Sequence, residues 1–495
     1  MSNLPVTESQ KFVGDLVWVT AAYLGVPLVG LITLPALTKS YTTAVYAVWI
    51  QSVFIVGILS LILSLYLGSA MVRFLAAEDD KMVRRRALGA MLWPVLLFSG
   101  LFFVISLLFS QELSEILFAT PVYAYLVPLI ILWSAVEAVF SLLICYLLAR
   151  RRIKRLSTIQ VSLSVFKMAV IVILALSRYE LGWIIGCIVA GETILIVALF
   201  GMIISEIGWS WPTVKGLKDY LAFSTPLIPG VILFWAIGSS DRFFITYLLD
   251  LSQSGIYSAS SSIGVLIAML YGPIMVALSP VLSRLWDQGE KSKVSTYLEY
   301  SNKLFVTLAI PGAAGLYILS QPLLGILTTP AYMVGGGLVL LIAMATVLAG
   351  LYQINVYVIF LVHQTKWLLP VMTLASVANI IANLALIPVL GITGAAIAAI
   401  IAYLILSVTM MVWARRVIGC KISMQFILKV IIGSVFMAVC INFIHISGIL
   451  GIITVAVAGV IIFSVWMWLT KAFSASDINL IKEIVNGLRQ GSVLK

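Results

Sequence analysis

About fourteen apolar segments of membrane-spanning length follow one another through nearly all of this 495-residue chain, and no other feature constrains its fold as strongly. A hydrocarbon core about 30 Å thick takes about 20 apolar residues in a helix. With 62% of the residues hydrophobic, little is left for a water-soluble domain. Inside lipid every backbone N–H and C=O needs a partner from the protein, which leaves helices or closed barrels. Barrel strands would alternate apolar and polar residues, whereas runs such as "VFIVGILSLILSLYLG" and "ILGIITVAVAGVIIFSVWMWL" are apolar throughout. The chain reads as an all-α integral membrane protein.

Charge clusters, Pro and Gly turns and polar runs place the spans near 12–38, 43–71, 87–109, 121–148, 157–177, 181–204, 223–248, 255–282, 304–328, 337–362, 367–389, 392–414, 426–446 and 449–470. The first follows "MSNLPVTESQK", lacks a small-residue cleavage site and is too long for a signal peptide, so it is expected to stay uncleaved. Lys and Arg in short loops set the orientation. With the N-terminus inside, all but four of the 30 basic residues fall on the cytoplasmic side, led by "KMVRRR" and "RRRIKR". The four are Lys39 and Arg178 in outer loops and Lys167 and Arg242 within spans. An even number of spans in the cell membrane, with both termini cytoplasmic, follows. The net charge of +11 is then a product of topology, basic loops facing an anionic leaflet, and points away from nucleic acid.

Other chemistry is sparse. The four cysteines form no CxxC or metal-type spacing, and two histidines make no catalytic cluster. No P-loop or G-x-S-x-G pattern occurs, and "EDD" at 78–80 lies between basic runs as a solvated loop would. No cofactor or metal is implied. Three ionisable residues near the middle of spans stand out: Glu137, Lys167 and Glu192. A charge at bilayer depth costs about 2.5–3.5 kcal/mol on insertion scales, so these should face a cavity or one another. Ser134, Glu137, Ser141 and Cys145 share one helix face, as do Gln160, Ser164 and Lys167, giving polar stripes on otherwise apolar helices.

An internal repeat organises the chain. Tyr46 and Tyr257 lie 211 residues apart, as do Arg73 and Arg284. Lys154 and Lys366 follow at 212, and Gly182 and Gly391 at 209. The repeat predicts two pseudo-symmetric six-helix lobes, 1–204 and 223–414, parallel in the membrane and able to rock about a site near the midplane. A linker at 205–222, with Trp209, Trp211, Lys215 and Lys218, suits a helix on the inner surface. Two further helices occupy 415–470, and a polar cytoplasmic tail runs from 471 to 495.

The run "LKDYLAFSTPLIPGVILFWAIGSSDRFFITYLLDLSQSGIYSAS" resembles the central stretch of polysaccharide flippases in the multidrug/oligosaccharidyl-lipid/polysaccharide exporter superfamily. "NIIANLALIPVLGITGAAIAA" resembles that family's eleventh and twelfth helices, and "YLGSAMVRFLAAED" the end of its second. The resemblance implies export of a polyprenyl-pyrophosphate-linked oligosaccharide from the inner to the outer leaflet, with glycosyltransferases or a polymerase as partners. On that reading Lys167, Arg73, Arg242 and Arg284 would meet the pyrophosphate, because Lys and Arg donors match phosphate oxygens. Asn379 and Asn383, in one stripe with Ser376, would meet sugar hydroxyls or hold helices together. Glu137, Glu192 and Asp241 would be coupling groups or charge partners, with Na⁺, H⁺ or the membrane potential alone left open as the drive. For Arg242 beside Asp241, a hinge or interlobe contact is the competing reading. Unlike the peptidoglycan-precursor branch, whose first helix carries arginines, this first span offers Asp15 and no internal cation. A multidrug/cation antiporter is the alternative within the superfamily. A membrane glycosyltransferase would need a long outer loop, and none is predicted.

Overall fold

A computed structural model describes residues 29–209, 211, 213–420, 423–444 and 448–472. All regular elements among them are helices, and 13 are long and apolar enough to cross a membrane. These 13 coincide with the second to fourteenth expected spans. The first, 12–38, is described only from residue 29, and residues 29–40 are helical. The tail beyond 472 lies outside the described residues.

The helices that organise the structure are α1 (Thr43–Leu63), α2 (Lys81–Leu108), α3 (Val127–Ala149), α4 (Ile153–Leu176), α5 (Leu181–Ile207), α6 (Ile228–Ser239), α7 (Asp241–Leu248), α8 (Leu251–Gly264), α9 (Lys291–Leu327), α10 (Gly336–Asn355), α11 (Leu368–Leu390), α12 (Ile392–Ile418), α13 (Met424–Asn442) and α14 (Gly448–Leu469). Three depart from the sequence reading. The second span ends at Leu63 and resumes as a short helix, Leu67–Leu75, because Leu65 and Tyr66 take positive φ of 48° and 52°. Gly68 opens that short helix against α3, where a Cβ would lie 2.7 Å from Cys145 Sγ. The seventh span is broken between α6 and α7. α9 begins at Lys291 rather than near 304, since Val294, Leu298, Ser301, Asn302 and Phe305 extend one buried stripe past the apolar run.

Packing divides the described residues into two compact units, 29–258 with 383–392, and 259–382 with those from 393 to 472. The first has a core built on α3, where Ala138, Leu142, Leu143, Tyr146 and Leu147 meet Met71, Met91 and Ile203. α6 and α7 open the second sequence repeat yet pack in this first unit, α6 against α1. The second unit is centred on α9, with Phe305, Ala309 and Ala313 packed among Ala343, Val347 and Ile354. α13 and α14 lean on the same helix through Phe426, Val430, Met437, Val455 and Phe463. At Gly433 a side chain would enter the Trp466 ring, so glycine lets the indole lie on α13 and donate from Nε1 to the Lys429 carbonyl at 3.0 Å.

One buried polar pair locks the second unit. Asn302 Nδ2 donates to Asn355 Oδ1 at 3.2 Å, and Asn355 Nδ2 returns a bond to Asn302 Oδ1 at 2.8 Å. Replacing Asn302 by Leu leaves Asn355 Oδ1 without its donor, while Asn355 Nδ2 keeps the Leu351 carbonyl, and should cost about 1–2 kcal/mol, visible as a lower unfolding temperature in detergent. Replacing both residues by Leu should recover most of the loss. Cys420, in the turn between α12 and α13, is buried, and burial with the nearby Glu299 carboxylate pushes its thiol up to about 12. It should therefore resist maleimide at pH 8 in the folded protein and react once denatured, which mass spectrometry reads directly.

Candidate functional site

The three mid-span charges come together within the first unit. α3 carries Glu137, α4 carries Lys167 and α5 carries Glu192. Lys167 Nζ lies 3.1 Å from Glu137 Oε2 and 2.5 Å from Glu192 Oε1. The Glu192 side chain is 0% exposed, while Lys167 and Glu137 keep 22% and 28%. One turn before Glu137, Trp133 presents its ring to the ammonium at 5.6 Å and stacks on Trp49 of α1 at 5.9 Å. Two carboxylates on one ammonium leave the cluster one negative charge in excess when all are ionised. An ammonium has three donors, so two carboxylates leave one for a ligand. Lys167 also occupies the place between carboxylates that a metal cation would need. Among the described residues no group of three or more His, Cys, Asp or Glu could hold a metal.

A second polar centre sits where α6 gives way to α7. Asp241 and Arg242 are 4% and 6% exposed. The Arg242 guanidinium lies over Phe54 at 4.4 Å and near the Tyr257 ring at 5.5 Å. Its Nη1 lies 3.6 Å from Asp241 Oδ1, and Tyr257 donates its hydroxyl to Asp241 Oδ2. The Arg242 carbonyl accepts from Gln51 Nε2 at 3.3 Å, Thr246 Oγ1 at 2.9 Å and Ser254 Oγ at 3.1 Å. Gln51 Nε2 also donates to Thr246 Oγ1 at 2.5 Å. Tyr247 donates to the Glu115 carbonyl at 2.9 Å, tying α7 to the helix Ser110–Phe118. Beside the break, Phe102, Trp235, Phe243, Phe244 and Tyr247 line an apolar cavity of about 590 Å³.

The remaining candidates are dispersed. Arg73 is exposed at the end of the helix Leu67–Leu75, and Arg284 is half-buried on Tyr271–Asp287. Ser376, Asn379 and Asn383 of α11 are all buried. Sequence reasoning missed Gln51, Trp133 and Asn302. Gln51 had a signal, being a lone amide deep in an apolar span; Trp133 had none, since one Trp among many apolar residues says nothing about a neighbouring cation.

In the second unit, α9, α13 and α14 enclose a groove of about 1060 Å³. Leu308, Leu316, Met437, Val455 and Phe463 are among its walls, and Gly312, Gly315 and Gly459 widen it. One end is cationic: Lys471 lines it, and Lys303, one turn before Thr307 of the wall, lies over Phe426 at 5.8 Å. An apolar channel with an ammonium at one mouth matches a hydrocarbon chain bearing an anionic head.

The fold belongs to solved transporters of the membrane. The chain is similar to a lipid II flippase, MurJ, in an inward closed conformation, with TM-score 0.74, 15% identity and coverage of 93% of this chain and 98% of that one. It is also similar to an inward-facing multidrug resistance MATE transporter of the MOP superfamily, at TM-score 0.63, 15% identity, 81% and 98%. A mutant MATE transporter of Vibrio cholerae matches at TM-score 0.55, 12% identity, 84% and 99%. No curated protein sequence matches the chain. These likenesses define the fold, that of an all-helical multi-pass membrane protein. A model for polysaccharide biosynthesis proteins matches residues 51–334, and the chain belongs to that family.

Lys167→Ala leaves two carboxylates facing each other in apolar surroundings and should cost about 3–5 kcal/mol, seen as lost folded yield. Lys167→Met with Glu192→Gln removes the ammonium and the wholly buried carboxylate, leaving only the 28%-exposed Glu137, and should restore most of that yield on size-exclusion chromatography. Gln51→Leu withdraws a donor from Arg242 and Thr246 and should cost about 1–3 kcal/mol of stability, seen as a lower unfolding temperature.

Proposed function

We propose that the protein flips a polyprenyl-pyrophosphate-linked oligosaccharide from the inner to the outer leaflet of the cytoplasmic membrane, by alternating access, for surface polysaccharide assembly. The observation that carries this reading is the groove on α9, α13 and α14, apolar along its length and cationic at one mouth, in a member of a polysaccharide biosynthesis family. A polyprenyl chain fits the walls, and its pyrophosphate would start near Lys471 and Lys303. Both termini lie in the cytoplasm on this reading, so the cationic mouth opens at the inner leaflet. The likeness to a lipid II flippase supports a lipid-linked cargo.

Within the first unit Lys167 offers its third donor to the anionic head, while Glu137 and Glu192 hold its position and charge. Arg242 serves the break between α6 and α7, its guanidinium being enclosed by Phe54 and Tyr257. Asn379 and Asn383 join helices, and Arg73 and Arg284 act at the inner interface. Outward movement of an anionic head is favoured by about 2.3 kcal/mol per charge per 100 mV of inside-negative potential. Because Lys167 fills the cation position, the cluster suits proton exchange better than Na⁺. The protein acts as a transporter without catalysis and hands its cargo to glycosyltransferases or a polymerase. The excess carboxylate and the MATE likeness favour one second reading, ion-coupled antiport of organic cations.

The test is leaflet translocation of a fluorescent polyprenyl-pyrophosphate oligosaccharide in proteoliposomes, with efflux of a cationic dye in parallel. Lipid-linked sugar movement without dye efflux is expected, and dye efflux alone overturns the reading. Lys167→Met/Glu192→Gln should be folded yet at least tenfold slower in this assay, equivalent to about 1.4 kcal/mol of barrier. Gly315→Phe fills the groove where the backbone leaves open space, and should slow long-chain cargo about tenfold while sparing a short-chain analogue.

A further inference from the structure

The basic runs "KMVRRR" and "RRRIKR" meet at one end of the first unit, where α2 and α4 begin and α3 and α5 finish. Part of their charge is compensated inside the protein. Arg84 Nη1 and Arg152 Nη1 lie 3.5 Å and 2.6 Å from Glu206, near the end of α5. Arg150 Nη2 lies 3.2 Å from Asp79, and its Nη1 donates to the Glu78 carbonyl at 2.9 Å. The rest is not: among the described residues Arg85, Arg86, Arg151, Lys154 and Arg155 form no ion pair. Arg84 is 4% exposed, yet its Nε has no hydrogen-bond acceptor, and neither has the buried Nε of Arg85. Arg85 lies along Gly208, whose backbone at φ 82° admits the guanidinium; a Cβ there would stand 3.3 Å from Nη1.

Apolar surface adjoins these cations. Trp209, next to Gly208, is 56% exposed and touches Phe200 edge-on, and Met82 and Val83 are exposed on the first turn of α2. The exposed cationic groups of Arg86, Arg151, Lys154 and Arg155, unpaired with any carboxylate among the described residues, beside an exposed indole fit a phosphodiester with attached acyl chains. The uncompensated residues fall on two separate segments, 85–86 and 151–155, which suits two phosphates rather than one.

We propose that this arginine collar is a binding site for an acidic membrane phospholipid, best filled by a lipid with two phosphodiesters. The site is independent of the cargo and shares with the flippase reading only the orientation that puts this end at the inner leaflet. General attraction of basic loops to an anionic surface would depend on charge number alone, whereas a built site depends on which arginines are present.

Native mass spectrometry on protein from nanodiscs of phosphatidylcholine with graded cardiolipin tests it. Arg85→Gln/Arg155→Gln should weaken cardiolipin retention about tenfold, as should Arg86→Gln/Arg151→Gln, in which both positions are exposed and folding is not at issue. Arg415→Gln/Arg416→Gln, at the end of α12, removes the same charge elsewhere and should change retention less than twofold. Equal losses in all three variants, or none in the collar variants, overturn the proposal. Displacement of cardiolipin by millimolar inorganic pyrophosphate overturns the lipid assignment, since the site would then read phosphate without its chains.

Discussion

Hydrocarbon offers no partner to a peptide group, and the structure follows from that. An unbroken helix satisfies its own backbone, so thirteen described helices can cross a membrane with sequences that are largely apolar. Where a helix is interrupted the requirement becomes local. At the interruption the Gly238 carbonyl of α6 accepts from Arg242 Nη1 at 3.4 Å, and in the first turn of α7 the Arg242 carbonyl takes side-chain bonds from Gln51, Thr246 and Ser254. The break is held by that convergence, and the adjacent Asp241, Tyr257 and Phe54 enclose the guanidinium that the sequence places there.

Charge obeys the same economy. Lys167 is tolerable at bilayer depth because two carboxylates face it, and Glu192 can be wholly buried because an ammonium stands 2.5 Å away. The arrangement couples α3, α4 and α5, so any movement of one helix, or any anionic group that competes for the ammonium, disturbs all three. At the basic end of the same unit the balance is incomplete, and there arginines outnumber the carboxylates that could satisfy them.

Much of this was legible beforehand. Span positions followed from apolar length, and the helical class from backbone chemistry. The prominence of Glu137, Lys167 and Glu192 followed from the cost of charge in lipid. Their meeting was foreseen only as one of two outcomes, because stripes on separate helices carry no information about rotation. Arg242 shows the opposite case: its sequence suggested phosphate binding as readily as a hinge, and only the rings of Phe54 and Tyr257 on either side, with Asp241 beside it, account for its guanidinium. Residues such as Gln51 and Asn302 acquire importance from partners about 50 to 195 positions away, a distance at which residue pattern is silent.

The sequence by itself determined that the chain is a multi-pass helical membrane protein, where its spans lie, and which charges require an explanation. These depend on transfer free energies and on periods of 3.6 residues, both local properties. The tertiary structure decided which charges neutralise one another, where the seventh span breaks, how α13 and α14 make a groove with α9, and which arginines are left over. Each of those rests on the relative rotation and depth of helices, which packing sets and no single segment encodes.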